Sequence, residues 1–100
     1  MDVGEHGETL RSLGRRVRAL RVLRELQQRE VAARAGVSPG TVIRLERTGR
    51  ASLDSALRIA FVLGAEAGFD RLFEAPPYRS LDEALARPTR PERLRVRRRR

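Results

Sequence analysis

The side chains able to do chemistry in this chain of 100 residues are almost all guanidinium groups. There are 22 basic residues, all arginine, against 13 acidic ones, one histidine and no cysteine, for a net charge of +9. A planar guanidinium donates hydrogen bonds in pairs, to a phosphate or to the edge of a guanine, so the chemistry on offer is recognition of anions and base edges. A GC-rich coding bias produces the same excess of Arg over Lys, so composition alone does not choose between the two explanations. A net positive charge favours a polyanionic partner under either. With no cysteine there is no disulfide, no thiol nucleophile and no Cys-ligated zinc. The single histidine, His6, lies in an acidic stub and cannot by itself build a metal site or a catalytic triad. The expectation is a binding protein, with no enzymatic activity, no cofactor and no metal.

The charge is unevenly placed. Residues 1–8 carry −3, residues 9–73 carry +7, residues 74–86 carry −2 and residues 87–100 carry +7. One positive block falls in a patterned stretch and the other in a tail. The longest apolar run, residues 59–63, is far too short to span a membrane. The acidic start lacks the apolar stretch of a signal peptide. A soluble, cytoplasmic protein is therefore expected.

The elements that must carry these arginines read as helices. Leu10, Leu13, Val17, Leu20 and Leu23 form one apolar face over 10–24, with Thr9 as its N-cap and Arg11, Arg15, Arg16, Arg18 and Arg24 mostly off it. A short second helix fits 28–35, with Val31, Ala32 and Ala35 inward and Gly36 ending it. Ser38-Pro39 starts a third, because serine caps free N–H groups and proline suits the first helical position. That helix runs to about Arg47 with Val42, Leu45 and Ile43 as its apolar residues, and Thr48-Gly49 ends it. A fourth spans 52–63, with Leu53, Leu57, Ala60, Phe61 and Leu63 apolar, and a fifth spans 67–73, with Phe69, Leu72 and Phe73. The phenylalanines read as core or dimer contacts. After Pro76-Pro77, Ser80 to Glu83 forms a capping box opening a helix of one or two turns, whose apolar residues are Leu81, Ala84 and Leu85. The closing Arg-rich run repels itself and is expected to be disordered without an anion. The reading divides the chain into a domain over 9–75 and a proline-broken linker, short helix and basic tail over 76–100.

Two short helices joined by a glycine turn, the second Ser-capped and basic, describe a helix-turn-helix. The chain from Leu13 to about Phe73 resembles the Xre/phage-repressor family. The matching residues are Leu20-Arg21, Gln28 to Ala32, Gly36-Val37-Ser38, Thr41-Val42, Leu45-Glu46, Gly49, Leu57, Ile59-Ala60 and Leu63-Gly64. The resemblance implies an all-α fold, a five-helix lambda-repressor-like domain, here with a short extra helix and a basic C-terminal tail. It implies that Arg44, Thr41, Gly40 and Pro39 face the bases of double-stranded DNA. It implies that Gln28, Ser38, Arg47 and Arg50 meet phosphates, and that Arg21 and Glu46 form a structural ion pair. Three departures stand out. Gln27 occupies the usual capping position, so the second helix should start less firmly. Glu25 replaces the usual glycine after the first helix, and Thr48 is one extra residue before Gly49.

The implied function is a sequence-specific transcriptional regulator, a repressor, binding a palindromic operator as a homodimer. Phe69, Leu72, Phe73 and Leu85 are the candidate dimer contacts. The basic tail also resembles that of HipB-type antitoxins. This resemblance implies an alternative in which the protein neutralises a kinase-like, HipA-type toxin and represses its own operon.

Overall fold

Two serines and three glycines set most of the helix boundaries. The hydroxyl of Ser38 accepts the Thr41 N–H at 3.1 Å, and that of Ser52 accepts the Ser55 N–H at 3.0 Å. Each satisfies a donor that a helix start otherwise leaves free. Gly36, Gly49 and Gly64 follow the ends of three helices, all in the left-handed conformation. In the computed structural model, which describes residues 3–77, these signals delimit five helices: α1 (Val3–Leu23), α2 (Gln28–Ala35), α3 (Pro39–Thr48), α4 (Leu53–Leu63) and α5 (Ala67–Asp70). There is no strand among the described residues. The extra helix and Arg-rich run expected beyond Tyr78 lie outside them.

The core is small and aliphatic. Val31, Ala32, Ala35, Val42, Leu45, Ile59 and Leu63 are buried together, with Val17, Leu20 and Leu26 packed against them. α1 packs on α3, while α2 packs on both α3 and α4. The α1–α3 crossing is close because a glycine makes it so. A Cβ on Gly14 would stand 2.5 Å from the Leu45 carbonyl oxygen and 2.6 Å from that of Glu46. A Cβ on Gly49 would collide with the Leu10 backbone. Gly49 is doubly constrained, since its φ of 77° also lies in the region that favours glycine.

Several sequence expectations need correction. α1 begins at Val3, so Thr9 is no N-cap; its hydroxyl donates back to the Glu5 carbonyl at 3.1 Å, one helical turn earlier. The acidic stub is helical because Glu5 complements the positive helix start. Glu8 also pairs with Arg11 at 3.3 Å and Arg15 at 3.2 Å. Leu23 does not join the apolar face and is 71% exposed, since a spacing of three carries it about 60° round the helix beyond Leu20. Leu53 and Phe61 of α4 are likewise exposed, while Ile59 supplies the inward position. α2 does not start loosely: Glu30 reaches back to accept the Gln27 N–H at 2.8 Å. α3 runs one residue further, to Thr48, whose hydroxyl donates to the Arg44 carbonyl at 2.7 Å and accepts the Arg50 N–H at 3.1 Å. α5 stops at Asp70, and Phe73 beyond it turns left-handed, with φ 64° and 94% exposure. Phe61 and Phe73 are therefore not core residues.

Candidate nucleic-acid interface

α3 places its side chains by simple angular arithmetic. At 3.6 residues per turn, buried Val42, Leu45 and Glu46 define the inward stripe. Gly40, Arg44 and Arg47 fall on the opposite side, and all three are exposed. Ser38 and Pro39 are exposed at the helix start, Thr41 is half-buried on one flank, and Arg50 is exposed in the loop that follows. The structure thus brings Ser38, Pro39, Gly40, Thr41, Arg44, Arg47 and Arg50 along one helix and its two ends. Among the described residues, the guanidinium groups of Arg44, Arg47 and Arg50 make no hydrogen bond or ion pair. Such a face offers several donors in a row, at a helix width that a DNA major groove admits.

Thr41 and Ser38 are linked to one another. Their hydroxyls lie 2.9 Å apart, in addition to the bond from the Thr41 N–H to Ser38 Oγ. This ties the Thr41 hydroxyl to the cap of α3. Ile43 is a neighbour that sequence periodicity placed among the apolar positions without distinguishing its face. It is 37% exposed beside Arg44. Only the absolute rotation of α3 against α1 and α2 separates it from Val42, and no local pattern encodes that rotation.

The face is held from behind by a buried polar cluster. Arg21 Nε donates to Glu46 Oε2 at 2.5 Å and Arg21 Nη2 to Glu46 Oε1 at 3.1 Å, a two-pronged arrangement. Glu46 Oε1 also accepts from Gln28 Nε2 at 3.0 Å, and Arg21 Nη1 donates to the Leu26 carbonyl at 2.8 Å. The pair is 12% exposed on the Arg21 side and 3% on the Glu46 side. The hydrogen bond from Glu46 raises the Arg21 guanidinium above its ordinary range, against the opposing effect of burial. One glutamate thereby joins α1, α2, α3 and the α1–α2 loop. Gln28 reaches this cluster through one amide N–H, which leaves its second N–H and its oxygen for other partners.

The connection between α1 and α2 stays tight despite lacking a glycine. Glu25 adopts φ 60°, the left-handed turn that glycine takes at no steric cost. Arg24 beside it donates to the Leu63 carbonyl at 3.0 Å and satisfies the end of α4. No group of three or more metal-ligating side chains is found among the described residues. No described helix is long and apolar enough to cross a membrane.

A family model described as Helix-turn-helix matches residues 17–68. No curated protein and no solved structure matches the chain. The match begins in the middle of α1, takes in α2, α3 and α4 whole, and ends inside α5. It covers the glutamate cluster and the outward face of α3 together. The chain belongs to the Xre-type helix-turn-helix family of DNA-binding regulatory domains.

Proposed function

We propose that the protein is a sequence-specific transcriptional repressor that binds a palindromic operator as a homodimer. The observation that carries this reading is the outward face of α3, where Arg44 and Arg47 are exposed and unengaged among the described residues. The face sits on a helix anchored by the buried Arg21–Glu46 pair. Arg44 is the one long donor at the base-facing positions, because Pro39 and Gly40 offer no side-chain hydrogen bond. Thr41 adds a short donor, and Ile43 adds an apolar surface suited to a thymine methyl. Ser38, Gln28, Arg47 and Arg50 surround these positions and serve the phosphates. With so few base contacts, DNA shape and backbone contacts carry much of the discrimination.

A homodimer doubles that small readout by spanning two half-sites about 34 Å apart. The exposed Phe61, Leu72 and Phe73 provide apolar surface for it. The antitoxin reading adds a protein partner to the same DNA-binding domain and rests on residues 76–100.

The test begins by selecting bound duplexes from a random pool. Arg44→Ala should then lower affinity for the selected site by about 1–3 kcal/mol while leaving random duplex binding nearly intact. Equal losses on both duplexes would make Arg44 a phosphate anchor and refute base readout by it. Selected sites without two-fold symmetry would refute the dimeric operator.

A further inference from the structure

The five helices leave a large apolar groove open. α1 and α4 scarcely touch, and between them lies a groove of about 660 Å³. Leu13, Val17 and Leu20 line one wall, and Ala56, Ala60 and Leu63 the other. Close-packed domains hold few voids larger than a water molecule. An open groove of this size leaves contiguous apolar surface next to the core, the kind of surface that marks an interaction site.

Three observations name the occupant. The first is tether geometry. Phe69 and Leu72 line the end of the groove, so the chain departs from its rim. Leu81 follows Leu72 by nine positions, a reach of up to about 30 Å. The groove wall from Leu10 to Leu20 is only about 15 Å long. The second is pattern. Leu81, Ala84 and Leu85 lie on one face of a capped segment too short to persist as a helix alone. The third is charge. Glu66 Oε1, beside Phe69 and Leu72 in the adjoining apolar pocket, is buried and has no hydrogen-bond partner among the described residues. Arg79 precedes Leu81 by two residues and brings a donor.

We propose that the groove between α1 and α4 is the docking site of residues 78–87 of the same chain, with Leu81 and Leu85 in the groove and Arg79 at Glu66. The short tether sets an effective concentration in the millimolar range, so the chain's own segment outcompetes a second copy present at micromolar levels. The docked segment completes the apolar core, and Arg79 enters the pocket that Phe61 and Phe73 also line. It does not depend on the DNA-binding reading.

The experiment uses the full chain. Because the protein has no cysteine, Ala86→Cys, off the Leu81–Leu85 face and outside the capping box, gives a unique attachment point for a nitroxide. Methyl signals of Leu13, Val17, Ala60 and Leu63 should weaken several-fold within the labelled chain. They should recover when Leu81→Ser and Leu85→Ser are added, changes that leave the described core untouched. An equal mixture of nitroxide-labelled, isotope-free chains with isotope-labelled, nitroxide-free chains should show no weakening. Weakening in that mixture would assign the groove to a second copy and overturn the proposal. Unchanged signals in the single chain, or weakening that survives the two serines, would overturn it equally.

Discussion

Arg21 and Glu46, 25 residues apart in sequence, meet in a two-pronged ion pair that closes the interface between α1 and α3. Removing either partner leaves the other charge buried and unpaired. Glu46→Ala and Arg21→Ala should each lower unfolding free energy by about 3–5 kcal/mol. The double substitution should fall well short of the sum, because both residues belong to one network. Urea denaturation of the three variants measures this. Single substitutions that leave the midpoint in place would show that the pair contributes little.

The two glycines of the α1–α3 crossing make a sharper stability prediction. Alanine normally strengthens a helix interior by up to about 1 kcal/mol over glycine. At Gly14 the added methyl meets two carbonyl oxygens, and overpacking of this kind costs about 1–3 kcal/mol, so Gly14→Ala should be net destabilising. Gly49→Ala should be worse, since the Leu10 backbone blocks the methyl and the φ is unfavourable as well. Gly68→Ala has open space around it among the described residues, so it should hold or slightly raise stability and serves as the control. Thermal melts that rank Gly14→Ala with Gly68→Ala would contradict the close crossing.

Glu25 stands in a left-handed conformation that costs a non-glycine residue about 1–2 kcal/mol. Glu25→Gly relieves that strain while loosening the unfolded chain by about 0.4–1 kcal/mol. The net expectation is a gain of about 0.5–1 kcal/mol, visible as a higher denaturant midpoint with an unchanged slope. A loss of stability would mean that the turn relaxes without strain.

The start of α1 should respond to acid. Hydrogen bonds from Arg15 and Arg11 lower the Glu8 carboxyl below its ordinary 4.5. Its contribution is therefore present above that ordinary value and disappears as pH falls through the lowered folded one. Amide exchange in residues 3–9, corrected for intrinsic rates, should accelerate below about pH 4.5 before α2 to α4 are affected. Glu8→Gln should abolish that early step.

The helix-turn-helix was readable because its punctuation is local. Ser38-Pro39, Ser52, Gly36, Gly49 and Gly64 each act within one turn of where they stand, and the helix ends follow. The outward direction of Arg44 followed from its apolar neighbours Val42 and Leu45. What escaped depends on distant contacts or on sums of weak effects. The bond from Gln28 to Glu46 crosses 18 residues and leaves no periodic trace. The first turns of α1 contain Gly4 and Gly7, which argue against a helix, while the charge pairs favouring it are individually small. α5 ended early because the apolar spacing of Phe69, Leu72 and Phe73 fits a helix and a following turn equally well.

The close seat of Leu10 on Gly49 has a mechanical consequence. α1 is clamped to the recognition helix between Leu10 and Gly14, and again at Arg21. Its first seven residues project about 10 Å beyond the clamp as a continuous helical stalk. A force applied to that stalk reaches α3 through the clamp. It is transmitted as torque about the glycine fulcrum and tilts α3 with it. The stalk is thus a handle on α3.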